Sequence, residues 1–268
     1  MAFHANMISV LEKFPKLSFY ARTRGWHFMI AWFHRITGIL LVIFVWIHMY
    51  FCPSPYGTGA HDVRAQGLGS LISNLLQWIL AVPIIFHAFN GGRLILYEIY
   101  GNRAEESMLR WMTGLGIIYL AVLGLVMVMG NQSVSPFIFW LAMIAVASIL
   151  SYGVGARIWR GGHSIFWWLQ RVSATFLLVM IPAYMLFMHL TPVASQEAGI
   201  VIPVMQKYFI QAVYLLLLAG TLYHAGYGIW SLMSDYLSSP TLRRGLALLV
   251  TLVMLVFGWV GVTVIGSI

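Results

Sequence analysis

Seven runs of about 20 or more apolar residues are strung along this chain, each long enough to cross the hydrocarbon core of a bilayer as a helix. Lipid offers no water to backbone N–H and C=O groups, so such runs must satisfy their own hydrogen bonds as helices. The spans read as about His27–Phe51, Leu71–Tyr97, Met108–Met129, Phe137–Ile158, Ile165–Leu190, Val204–Met233 and Leu246–Ile265. Breakers mark the joints: Pro53 and Pro55, Asn131 to Pro136, Gly161-Gly162, Pro192, and Ser238 to Pro240. Only 8% of the residues are charged. A soluble domain carries roughly 25%, so the remaining polar surface is too small for a water-soluble body. The predicted fold is all-α, a polytopic membrane helical bundle.

The formal net charge is +8. The cations sit almost wholly between the apolar runs, where they report topology rather than nucleic-acid binding. With the N-terminus inside, 13 of the 15 cations fall on the cytoplasmic side, and only Arg64 and Lys207 fall outside. The expected orientation is therefore N-inside and C-outside. The N-terminus does not read as a cleavable signal. The single cysteine, Cys52, excludes an internal disulfide and a cysteine-held iron–sulfur cluster.

The two halves resemble each other. Arg35-Ile36-Thr37-Gly38 opens the first span and Arg171-Val172-Ser173-Ala174 the fifth. A histidine follows 52 residues after Arg35, at His87, and 53 after Arg171, at His224. Each begins an H-A-x-x-G stretch, and each is followed 11 residues later by a carboxylate, Glu98 or Asp235. Two parallel three-helix repeats need one extra crossing between them, which the fourth span supplies. The expected organisation is a cytoplasmic segment at 1–26, a first repeat at 27–130, a connecting helix at 131–160 and a second repeat at 161–268.

His48, His87, His189 and His224 lie inside apolar spans, where ionisable groups are costly and mark function. The bland alternative for any one of them is a ring bonded to neighbouring backbone. As a set they fall at two depths. His87 lies roughly 9 Å from Arg93 at the inner end of its span, and His224 roughly 16 Å from Asp235. His48 lies roughly 20 Å beyond Arg35, and His189 roughly 27 Å beyond Arg171. Each depth thus holds one histidine from each half. Haem accounts for this, because facing histidines on neighbouring helices can supply both axial ligands of one iron. Ala88, Gly91, Gly92, Ala225, Gly226 and Gly228 would let a flat macrocycle approach the backbone. His34, Arg35, Arg93 and Arg171, near the inner end, could meet its propionates. Zinc or copper would want all its ligands at one depth.

These residues resemble the membrane anchor of the succinate:quinone oxidoreductase and quinol:fumarate reductase family. His34-Arg35-Ile36-Thr37-Gly38 is similar to its H-R-x-[ST]-G signature. His87 to Glu98 is similar to the haem segment of the first anchor subunit, and His224 to Tyr236 to that of the second. The chain looks like the two anchor subunits fused through a connecting helix. The resemblance implies that His87 and His224 ligate a haem b nearer the cytoplasm, and His48 and His189 a second, distal one. It implies a quinone site, for menaquinone or ubiquinone, at Arg35 and Tyr236 with Asp235 nearby. The family often has a serine four residues before this arginine, where this chain has Ala31, so one expected hydrogen bond is lost. Flavoprotein and iron–sulfur partner subunits would dock on the cytoplasmic face of a prokaryotic inner membrane. The chain would react with quinone but not with the dicarboxylate, for which it has no flavin or substrate motif. Two rival readings are a cytochrome b anchor of the hydrogenase or formate dehydrogenase type, and a secondary transporter. All seven acidic residues lie at span ends or in loops, which argues against the transporter.

Overall fold

A computed structural model describes residues 15–51, 68–129, 134–190 and 208–267, with side chains at 15–27, 48–51, 68–73, 160 and 267 outside the description. The described residues form seven long helices: α1 Pro15–Phe51, α2 Leu68–Tyr100, α3 Glu105–Met129, α4 Pro136–Ile158, α5 Ile165–Leu190, α6 Tyr208–Tyr236 and α7 Pro240–Ser267. A 3-10 turn, Trp159–Gly161, follows α4. All seven are long and apolar enough to cross a membrane. Their outer faces are greasy: Ile149 is 69% exposed, Trp259 73% and Val128 84%. In water that would be a severe cost; in lipid it is the required surface.

The helices run further than the apolar windows, because their ends are set by polar and glycine chemistry. Asn102 accepts from the Ala104 N–H at 3.0 Å just before α3, whose first turn carries Glu105 and Glu106. These carboxylates suit the positive end of the helix dipole, so α3 starts at Glu105 rather than Met108. Pro240 opens α7, and the Ser239 hydroxyl accepts from the Leu242 N–H at 3.4 Å, six residues before the expected Leu246. Gly101, at φ +66°, ends α2, and Asn102 N–H bonds back to the Leu96 carbonyl at 3.2 Å. α1 spans 37 residues, roughly 55 Å of helix, against a hydrocarbon core of about 30 Å.

Four helices close a ring: α1 packs on α2, α2 on α5, α5 on α6, and α6 on α1. The diagonals of that ring are α2 with α6 and α1 with α5. α3 lies outside α2 and α5, and α7 outside α6 and α1. α4 packs most extensively on α5, with further contact to α6 and α2. That packing is tight: a Cβ on Gly155 would meet the Trp168 ring at 3.0 Å, and the Trp168 indole N–H donates to the Gly155 carbonyl at 2.9 Å. Trp140, Ala147, Leu177, Met180, Phe187, Ile210 and Val213 form the main apolar core among α4, α5 and α6.

Candidate functional site

His87 sits on α2 and His224 on α6, opposite one another across the four-helix ring. Their ring centres are 6.3 Å apart and their planes lie at 83°. At that separation the two rings would be able to hold one haem iron between them. The His87 Nδ1 lies 3.1 Å from the His34 carbonyl oxygen. A carbonyl only accepts, so this nitrogen carries the proton, and the Nε2 lone pair is left for a metal. Thr37 Oγ1 lies 3.3 Å from the same nitrogen and donates to the Phe33 carbonyl at 2.8 Å. Across the ring, Nδ1 of His224 is buried with no hydrogen-bond partner in the protein. Its backbone carbonyl accepts from Gln170 Nε2 at 3.3 Å. One ring with its tautomer fixed and one buried nitrogen without a protein partner form a donor set that fits a bis-histidine haem iron.

Gly38 explains the end of the R-I-T-G motif. A Cβ there would stand 3.0 Å from His87 Cε1, so any larger residue would push the ring aside. The other small residues read differently from expectation. Gly92 faces Leu178 at 3.1 Å and Gly226 faces Met254 at 3.3 Å, so these two let helices approach each other rather than a macrocycle. Gly91 faces His34 at 3.7 Å and Gly228 faces Gln170 at 3.8 Å, both in the histidine layer.

Three of the expected cationic or imidazole neighbours have distinct surroundings. The His34 ring stacks on His87 with centres 4.0 Å apart and planes 5° apart, and its Nδ1 is buried and unpartnered. Arg93 is buried, and its Nε donates to Asn90 Oδ1 at 2.9 Å. Asn90 is fully buried with its amide nitrogen free. Arg171 is gripped by Glu98: both Nε, at 3.2 Å, and Nη2, at 2.7 Å, donate to Glu98 Oε2. Its guanidinium also lies 4.2 Å from the centre of the Trp167 ring.

At the end of α6, Arg35 Nη1 donates to the Tyr236 hydroxyl at 3.0 Å, and Arg35 Nη2 is 3.7 Å from Asp235. The three expected quinone residues therefore meet, although 201 residues separate Arg35 from Tyr236. Trp32, which the sequence did not single out, joins them. Its ring centre is 5.9 Å from that of Tyr236, and the Arg35 guanidinium lies 5.8 Å from the Trp32 centre and 5.7 Å from the Tyr236 centre. An aromatic at a membrane boundary usually reads as an anchor, so only the contact reveals it. Asn90 and Gln170 were missed too; a polar side chain inside an apolar span was the available signal. Ala31 is half-buried and brings no polar group to this corner.

His189 is half-buried on α5. The His48 side chain, on α1, lies outside the described residues. Their helices form the other diagonal of the ring. A separate cavity of about 220 Å³ opens at the turn after α4, lined by Ile158, Trp159, His163, Ile165 and Trp168. It contains none of the intramembrane histidines.

A sequence model described as the succinate dehydrogenase/fumarate reductase transmembrane subunit matches residues 13–128 and 155–261. Over 88 residues the chain is 27% identical to the mitochondrial succinate dehydrogenase cytochrome b560 subunit of Caenorhabditis briggsae. That alignment covers 32% of this chain and 47% of the relative, so the chain spans about half the length of the curated protein it matches. No solved structure matches.

Proposed function

The chain belongs to the succinate dehydrogenase/fumarate reductase transmembrane subunit family, and from that premise we propose that it anchors such a complex and passes electrons between an iron–sulfur subunit and membrane quinone. The observation that carries the reading is the His87–His224 pair, 6.3 Å apart on diagonal helices, in the same bundle as the Arg35–Tyr236 corner.

His87 and His224 would hold the inner haem b, with Arg93 and His34 beside it for the propionates. Arg171, proposed from sequence for the same task, is committed to Glu98 in the structure. When bound, the haem supplies a one-electron iron centre. His48 and His189 would hold a second, distal haem on the α1–α5 diagonal. The two segments of the family match, separated by 129–154, support the reading of two three-helix halves joined by α4.

Quinone reduction takes two electrons and two protons per molecule and gives quinol. The electrons come from the iron–sulfur subunit and the protons from water. Arg35 donates a hydrogen bond to the reacting carbonyl oxygen and opposes its developing negative charge. The Tyr236 hydroxyl, already held by Arg35, donates to the same oxygen. Asp235, 56% exposed, is placed to hand protons in from the surface. The reverse sequence oxidises quinol for fumarate reduction. The flavoprotein and iron–sulfur subunits would dock on the basic, cytoplasmic end.

Reduced-minus-oxidised spectra of the purified complex test the reading. The intact protein should show b-type absorbance from two haems. His87→Leu and His224→Leu should each remove the inner haem and keep the distal signal. A wild-type complex without b-type absorbance would refute the haem assignment.

A further inference from the structure

The Arg35 corner holds one residue that neither the haem nor the quinone assignment uses. Trp32 stands one turn before Arg35 on α1, and Tyr236 comes from the end of α6. Their ring centres are 5.9 Å apart and their planes are tilted by 45°. The Arg35 guanidinium lies at nearly equal distance from both, 5.8 and 5.7 Å. Both walls are open, Trp32 at 37% and Tyr236 at 54% exposure. Phe28 meets the Trp32 ring edge-on, with centres 6.3 Å apart.

A flat ring that enters this corner edge-first would engage Arg35 and the exposed face of Trp32 together. The leading carbonyl oxygen then meets Arg35 and the Tyr236 hydroxyl, while one ring face stacks on the indole. Indole is itself a fused bicycle, so a second fused ring on the ligand gains contact that a single ring cannot. Methoxy substituents on a single-ring quinone project from the ring and compete for the same narrow space. Ala31 offers no hydroxyl to compensate with a second polar anchor. Both quinone classes present the same carbonyl oxygen to Arg35 and Tyr236, so discrimination between them falls on stacking.

We propose that Trp32 is the specificity-determining wall of the quinone site, favouring fused bicyclic naphthoquinones over single-ring benzoquinones. This rests on the quinone reading of the Arg35 corner.

The test uses the whole complex with two short-tailed probes, a menaquinone analogue and a ubiquinone analogue, and compares their kcat/KM values. In the wild type the menaquinone analogue should be preferred. Trp32→Leu should lower the naphthoquinone-to-benzoquinone ratio by about three- to tenfold, the range of one aromatic stacking contact. Trp32→Phe should restore part of it. Haem spectra should remain unchanged, which shows that the bundle is folded. An unchanged ratio in Trp32→Leu would overturn the proposal, whether the two probes keep their rates or fall together; a joint fall would reduce Trp32 to a support for Arg35. Arg35→Ala is the parallel control for the underlying site. Loss of turnover with both probes upholds the quinone site whatever Trp32 does. Unchanged turnover in Arg35→Ala removes that site and the specificity proposal with it.

Discussion

Arg35 and Arg171 teach more together than either does alone. Arg35, from the first half, reaches Asp235 in the second; Arg171, from the second half, reaches Glu98 in the first. Each has a tryptophan against its guanidinium, Trp32 and Trp167. Yet one corner is loose and the other is locked. The Arg35–Asp235 contact is 3.7 Å with side chains 38% and 56% exposed, whereas Arg171–Glu98 is 2.7 Å with 23% and 37%. The residue after the carboxylate also differs: Tyr236 offers a hydroxyl, and its counterpart Ile99 offers none. Arg157 of α4 instead donates to the Ile99 carbonyl at 3.3 Å. The Arg35 corner stays open at the surface, whereas the Arg171 corner ties α5 to α2, with α4 bonded to the neighbouring Ile99 carbonyl.

Exchanging the phenotypes of the two arginines is the strongest way to break this contrast. Arg35→Ala should cut quinone-linked turnover by roughly 100- to 1,000-fold, as loss of a charge-stabilising donor does, and leave haem spectra intact. Arg171→Ala should do the opposite, lowering thermal stability and haem retention while the assembled fraction still turns over quinone. Matching phenotypes would mean the corners are not specialised. Removing the carboxylates is the next largest test. Glu98→Gln leaves a partly buried guanidinium without its charged partner and should cost about 1–2 kcal/mol, read as a lower denaturation temperature. Asp235→Asn should cost less than about 1 kcal/mol in stability, because that pair is exposed and long. Smaller still is Tyr236→Phe, which removes one hydroxyl donor and should lower quinone kcat/KM by about two- to tenfold. The weakest effect belongs to Ile99→Tyr. Even with the missing phenol supplied, Arg171 remains held by Glu98, so quinone titration should show no additional site.

Much of this was legible before any coordinates. The seven spans, the intramembrane histidines and the paired H-A-x-x-G segments stand in the sequence because lipid forbids most polar residues and makes the few present conspicuous. The motifs that single out Arg35, Asp235 and Tyr236 lie about 200 residues apart, and the structure brings these three side chains into contact. Trp32 was not legible, since aromatics at a membrane boundary are common and carry no label. The role of Gly38 was hidden too: its neighbour His87 lies on another helix. The commitment of Arg171 to Glu98 rather than to an open site could not be read from spacing, which is the same in both halves.

Hydropathy and repeat spacing alone determined the number of helices, the layer of the inner histidines and the residue types at both arginine corners. These are local or periodic properties, and a bilayer enforces them one span at a time. Which corner stays open and which imidazoles face each other were decided only by tertiary structure. Both depend on where α4 and the diagonal helices pack, and packing is a relation between surfaces far apart along the chain.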